Sequence, residues 1–287
     1  LVDPVRGAEV YTLDGHDGAV NRINFSANGK TLISGGLDGS AVIWKLPQAA
    51  LAEMRQGAAT NQGLLAQESP PQAEALFNHR GDALFVGGGD GTGEIWSSHP
   101  LTKRQRLVGH HAPIGAAAFS PNDRILATGG WDQSVCLWDT TTGKMLRRFD
   151  ALGAYVTRLS FDEGSRYFSA AIQGHGSKIF MVDSAQVVAH FESDRSHAQA
   201  FSPNALLYAV AVRGVVKLWS IRDQKFLWST PLPGNIAGDE KAGVVTFSPD
   251  GRRILATLTR RRAFILEASD GKLVRQIEDP TAAGLYV

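Results

Sequence analysis

The chain has 287 residues, of which 43% are hydrophobic and 20% charged, and a formal net charge of +1. That length and apolar content allow a sizeable core and exclude a disordered chain, and near-neutrality leaves no global field calling for nucleic acid or an anionic membrane. The single cysteine, Cys136, excludes an internal disulfide, and its place in an apolar run reads as packing.

Taken in order, the chain repeats. Phe25, Phe77, Phe119, Phe161, Phe201 and Phe247 follow one another at spacings of 52, 42, 42, 40 and 46 residues. A turn signal comes after each, from Ser26-Ala27-Asn28-Gly29 in the first unit to Ser248-Pro249-Asp250-Gly251 in the last. Asn, Asp and Gly tolerate the positive φ that tight β-connections require. An apolar run follows, such as Thr31-Leu32-Ile33-Ser34 or Ile125-Leu126-Ala127-Thr128. After a second turn comes a third run ending in Trp44, Trp96, Trp138 or Trp219, and a weaker segment such as 143–149 closes the unit. Four short strands per repeat cannot bury their own faces, so four-stranded sheets must stack on one another. The expected class is all-β.

The fullest copy runs from Gly109 to Asp139, with Gly109-His110, Thr128, Asp132 and Trp138-Asp139 as marked positions. The first unit carries His16, Ser34, Asp38 and Trp44. This pattern resembles the WD-repeat β-propeller family, and the resemblance extends along the whole chain. The second unit keeps Asp90 and Trp96 but has Val86 for the hydroxyl. The fourth keeps Ser169, with Val182 in the Trp place. The fifth keeps Trp219, with Arg213 where Asp is expected. The sixth keeps Thr257, with Leu266 for Trp. The resemblance implies a structural hydrogen-bonded chain through His16, Ser34, Asp38 and Trp44, and through His110, Thr128, Asp132 and Trp138. A Ser/His/Asp catalytic set is the competing reading; repetition of the same set in two units favours the lattice.

The ends bear on the count. Val2, Gly7 and Leu13 match the spacing of Trp138, Gly143 and Phe149, which predicts a fourth strand at 8–13; Gly284-Leu285-Tyr286-Val287 reads as the start of a first strand. The expectation is one domain over 1–287, seven-bladed, with six complete repeats and a blade split between the termini. An open array is the alternative. Leu1-Val2-Asp3 reads as an interior cut, no apolar run approaches the ~18 residues of a membrane span, and a weak cytoplasmic placement follows.

Function is expected where units break the pattern. Trp44 to Phe77 spans 33 residues against 23 from Trp96 to Phe119, placing an inserted loop between blades within 46–71. Its Ala, Leu, Gln and Glu content suits a helical turn around 49–55, and Leu51, Met54, Leu64 and Leu65 form a candidate docking patch. Arg213 and Arg260-Arg261-Arg262 fall in second turns of adjacent units, where guanidinium forks would suit an acidic or phosphorylated peptide. Scattered His residues form no metal set. Gly87-Gly88-Gly89-Asp90-Gly91 lacks the Lys and helix of a phosphate cradle, so no cofactor is expected. The sequence thus predicts a non-catalytic platform that binds a protein or peptide partner on one face carrying both the 46–71 insert and the Arg213 and Arg260–Arg262 turns, within a multi-protein complex or a larger chain. The alternatives are a targeting or regulatory propeller of a larger enzyme or signalling protein, or an enzyme with a central-channel site.

Overall fold

A computed structural model describes residues 12–46, 60–66, 74–193, 198–212, 214–233, 242–258 and 262–278. In these residues the recurrent turn closes on its own side chains. The Ser26 N–H donates to Thr31 O at 2.8 Å, the Ser26 hydroxyl donates to Asn28 Oδ1 at 2.8 Å, and that oxygen accepts the Lys30 N–H at 2.9 Å. Ser120 with Asn122, Ser202 with Asn204, and Ser248 with Asp250 repeat the arrangement. Each such turn reverses the chain and starts the next antiparallel strand.

The described residues form six four-stranded sheets, each a meander in chain order. Sheet one holds β1 (Val20–Phe25), β2 (Thr31–Gly36), β3 (Ser40–Lys45) and β4 (Thr60–Ala66). Sheet two holds β5 (Glu74–Phe77), β6 (Ala83–Gly87), β7 (Thr92–Ser98) and β8 (Leu101–Val108). Sheet three holds β9 (Ile114–Phe119), β10 (Ile125–Gly130), β11 (Val135–Asp139) and β12 (Met145–Phe149). Sheet four holds β13 (Val156–Phe161), β14 (Tyr167–Ile172), β15 (Gly176–Met181) and β16 (Val187–Phe191). Sheet five holds β17 (Ala198–Phe201), β18 (Leu207–Val212), β19 (Val215–Ser220) and β20 (Lys225–Pro231). Sheet six holds β21 (Ala242–Phe247), β22 (Arg253–Leu258), β23 (Arg262–Glu267) and β24 (Leu273–Glu278). The chain divides into two compact units, Leu1–Val156 and Thr157–Val287. Sheets one to three belong to the first and sheets four to six to the second, β13 beginning one residue earlier.

The second strands β2 and β6 are buried along their whole length. In the first unit Ile33, Ala41 and Ile43 pack on Ala75, Phe77 and Leu84, and Phe85, Ile95 and Leu107 pack on Ile114, Phe119 and Leu126. In the second unit Leu218 and Val216 pack on Ile254, Phe264 and Leu266. Outer strands add polar ties within each unit. Gln105 Nε2 donates to Thr141 O at 2.8 Å, and Thr230 Oγ1 donates to Gly271 O at 2.9 Å. Gly271 stands at φ +73°, and a Cβ there would lie 2.5 Å from Thr230 Oγ1, so the turn needs glycine twice over.

One irregularity recurs in every sheet and sets the alignment of the repeats. The pairing of third and fourth strands slips by one residue before Trp44, Trp96, Trp138, Phe180, Trp219 and Leu266. The aligned residue of sheet four is therefore Phe180, not Val182. Phe180 pairs with Phe168 as Trp138 pairs with Leu126, so the position matching Thr128 is Ala170, and in sheet six it is Ala256. Ser169 and Thr257 are one residue out of step. In a strand that puts them on the opposite face from the expected hydroxyl.

The long connection after Trp44 also differs from expectation. Thr60–Ala66 pairs with β3 and is the fourth strand of sheet one, so 46–71 is not a loop between sheets. Leu64 pairs with Val42 and Leu65 with Ala41, as ladder positions rather than loop positions. The added length falls in 47–59, between third and fourth strands, and leaves the sheet at the end opposite the β2–β3 turn. The helical turn expected at 49–55, with Leu51 and Met54, lies outside the described residues, as do 8–11 and 284–287; Thr12 and Leu13 are not in a strand.

Candidate functional site

The marked residues of sheets one and three come together as expected, by the same geometry twice. His110 Nδ1 lies 3.0 Å from Asp132 Oδ1, His110 Nε2 2.8 Å from Thr128 Oγ1, and Trp138 Nε1 donates to Thr128 Oγ1 at 2.8 Å. In sheet one His16 Nδ1 lies 3.0 Å from Asp38 Oδ2, His16 Nε2 2.7 Å from Ser34 Oγ, and Trp44 Nε1 donates to Ser34 Oγ at 2.8 Å. A carboxylate can only accept, so Nδ1 carries the imidazole proton and Nε2 accepts from the hydroxyl. Each hydroxyl then accepts the indole N–H, and the chain is closed from Trp to Asp.

Burial raises the cost of charge at Asp132, yet the His111 N–H, the Ser134 hydroxyl and His110 together hold its carboxyl well below the usual range. Asp38 is likewise held low, against burial, by the Ser40 and Asp17 N–H groups and the Ser40 hydroxyl. Burial pushes His110 below its ordinary value despite the pull of Asp132, so the ring is neutral. Ser34 and Thr128 are buried and have both neighbours committed, so neither hydroxyl is presented to a substrate. This geometry builds scaffold rather than a nucleophile.

The sequence reading missed several partners in these networks. Ser40 and Ser134 stand two residues after each Asp; their hydroxyls donate to Asp38 Oδ1 at 2.8 Å and Asp132 Oδ1 at 2.7 Å. The shared Asp-x-Ser offset was the available signal. Arg148 Nη2 donates to Asp132 Oδ2 at 3.0 Å and Arg148 Nε to Asp150 Oδ1 at 2.6 Å. In sheet two, whose sequence has no His ahead of β5 and Val86 for the hydroxyl, Trp96 Nε1 donates to Glu94 Oε2 at 3.1 Å, and Glu94 pairs with Lys103. In sheet five Trp219 Nε1 is buried with no hydrogen-bond partner. Out-of-step Ser169 serves a different buried set: Gln199 Nε2 donates to it at 3.2 Å, and the Tyr208 hydroxyl donates to Gln199 Oε1 at 2.6 Å.

Two further features were not legible as motifs. Glu74, at the start of β5, is buried, with Arg22 Nε 3.5 Å from Oε1 and no hydrogen bond to that oxygen. Burial raises its pKa to about 7, against the opposing charge of Arg22 and the Ala117 N–H. At the same end of the first unit Trp131 is 45% and Tyr155 40% exposed, their ring centroids 5.6 Å apart and tilted by 38°. At the other end of sheets two and three lies a cleft of about 260 Å³ lined by Asn78, Arg80, Arg104 and Asp123. Its two acids are already engaged: Asp123 accepts the His79 and Arg80 N–H groups at 2.8 and 3.0 Å, and Asp82 Oδ1 accepts from Asn78 Nδ2 at 2.6 Å.

Of the basic candidates, Arg213, Arg260 and Arg261 lie outside the described residues. Arg262 opens β23 instead of sitting in a turn, with Nη1 donating to Pro233 O at 3.4 Å and its guanidinium 6.0 Å from the Phe264 ring centroid. Among the described residues no group of His, Cys, Asp and Glu could hold a metal ion, and no helix is long and apolar enough to cross a membrane.

Comparison with known proteins agrees with this architecture. The family description "WD domain, G-beta repeat" (WD40) matches residues 7–45 and 101–139, the stretches carrying both complete networks. The chain is 29% identical over 153 residues to the small ribosomal subunit protein RACK1y of Oryza sativa subsp. japonica, covering 50% of this chain and 45% of that one. It is 25% identical over 195 residues to protein HIR1 of Kluyveromyces lactis, covering 60% of this chain and 22% of that one. It is 24% identical over 262 residues to pre-mRNA-processing factor 19 homolog 2 of Arabidopsis thaliana, covering 88% of this chain and 47% of that one. In each case the match spans less than half of the relative's length. With two recognised repeats, six meandering four-stranded sheets and two closed His–Asp–hydroxyl–Trp networks, the chain carries WD repeats and is built of the four-stranded blades of the β-propeller class.

Proposed function

We propose that the chain is a non-catalytic interaction platform that holds a protein or peptide partner. The observation that carries this reading is the commitment of the hydroxyl–His–Asp sets to internal hydrogen bonds, which leaves stacked sheets whose variable parts are loops. The longer relatives favour a setting in which the propeller is a targeting or regulatory module within a larger assembly. A ring of seven blades, one completed across the termini, would protect sheet edges and fits the repeat period.

Arg213 and Arg260–Arg262 are proposed to serve an acidic or phosphorylated peptide, and residues 47–59 to add contact area at the opposite end of sheet one. The test is affinity capture with the intact chain, with residues 48–58 replaced by a short Gly/Ser linker, and with Arg261→Glu. The replacement spares β4. Partners captured by the intact, folded chain support the platform; a chain that captures none contradicts it. Unchanged capture by both variants removes those two regions from the reading.

A further inference from the structure

We propose that the loop end of the first unit carrying Trp131 and Tyr155 docks a basic segment of a protein partner, with a lysine or arginine side chain lying on the paired rings. The proposal rests on the platform reading and specifies the partner's chemistry. Trp131 stands in the β10–β11 turn, where sheet one has Leu37, and all three side chains, Leu37, Trp131 and Tyr155, are exposed. Both rings are exposed, yet the two are held together, with centroids 5.6 Å apart. Gly115 lies beneath the indole, where a Cβ would meet Trp131 Nε1 at 2.9 Å and Cδ1 at 3.2 Å. A ring pair seated on backbone and open to solvent offers the π face that cations favour.

Charge at this end selects the occupant. The described loops that enter β1, β9 and β13 and the second-to-third-strand turns of sheets one to three lie at this end. Ile114 N–H donates to Gly88 O at 3.3 Å, joining the loop before β9 to the sheet-two turn. Exposed Asp14, Asp17, Asp90 and Asp150 stand on these segments, and no Lys or Arg does among their described residues. Of the arginines that reach this end of the unit from strands, Arg22 faces Glu74 and Arg148 is committed to Asp132 and Asp150, while exposed Arg106, at the position of β8 that matches Arg148, still leaves Asp14, Asp17 and Asp90 in excess. An anionic peptide or nucleic-acid backbone would therefore be repelled, and a basic segment attracted and oriented.

The experiment uses a fluorescein-labelled Gly/Ser heptapeptide bearing one Arg and one Lys, titrated with the full chain by anisotropy at low and physiological salt. A counterpart bearing two Glu serves as the control. The expected result is binding of the basic peptide only, weakening as salt rises. Trp131→Ala should lower affinity about tenfold, the size of one cation–π contact, without changing the salt dependence or the melting temperature. Gly115→Ala, which displaces the indole without removing it, should lower affinity in the same direction. Equal binding of the Glu peptide, or full binding by both variants, would overturn the proposal. Affinity capture separates the two readings: if Trp131→Ala retains every partner of the intact chain, the platform stands and this surface assignment falls.

Discussion

Replacing Glu74 by Gln should stabilise the chain at pH 8 and do little at pH 5. The carboxyl sits at the start of β5 with Arg22 Nε 3.5 Å away, and burial raises its pKa from 4.5 to about 7. Below about pH 4.5 the group is protonated in both folded and unfolded chains. Between 4.5 and 7 the unfolded chain ionises first, and above 7 both are ionised, so the stability this group contributes at low pH is lost as pH rises through 7. At 1.36 kcal/mol for each pKa step, the loss is about 3 kcal/mol. Gln keeps the shape and carries no charge, so it mimics the protonated acid at every pH. Guanidinium unfolding of both proteins at pH 5 and 8, followed by tryptophan emission, measures the difference. A stabilisation near 3 kcal/mol at pH 8 that falls below about 1 kcal/mol at pH 5 is expected. Equal differences at the two values, or a less stable variant at pH 8, would refute the role of burial.

Other outcomes follow from the networks. Thr128→Val orphans both the Trp138 indole N–H and His110 Nε2 and should cost about 2 kcal/mol in urea unfolding; combined with Trp138→Phe the loss should fall short of the sum, as a double-mutant cycle would show. His110→Ala should lower the melting temperature while leaving partner capture intact. Because burial holds His110 below its ordinary 6.5, the stability this residue contributes is full above that value and declines as pH falls beneath it, a slope that His110→Ala should flatten. Gly271→Ala, at φ +73° and 2.5 Å from Thr230 Oγ1, should destabilise by at least about 1 kcal/mol in the same assay.

The class of fold was legible because its causes are local. Turn residues after Phe25, Phe119 and Phe247 close on their own side chains, and the period of some forty residues repeats the same four-strand unit. The His, Asp, hydroxyl and Trp of sheets one and three were legible because two complete copies stand at one spacing. Tertiary structure decided the rest. Residues 60–66 read as part of an inserted loop, since nothing local distinguishes an outer strand that pairs along one edge only; β3 makes it a strand. Ser169 and Thr257 had the right chemistry one residue out of step, and only the recurrent bulge beside Trp138 and its counterparts fixes the face a side chain takes. The acidic end of the first unit, with Trp131 beside Tyr155 and Arg22 drawn to buried Glu74, gathers residues far apart in the chain. No local pattern encodes that meeting: it exists because sheets stack, and burial and charge are properties of the stack.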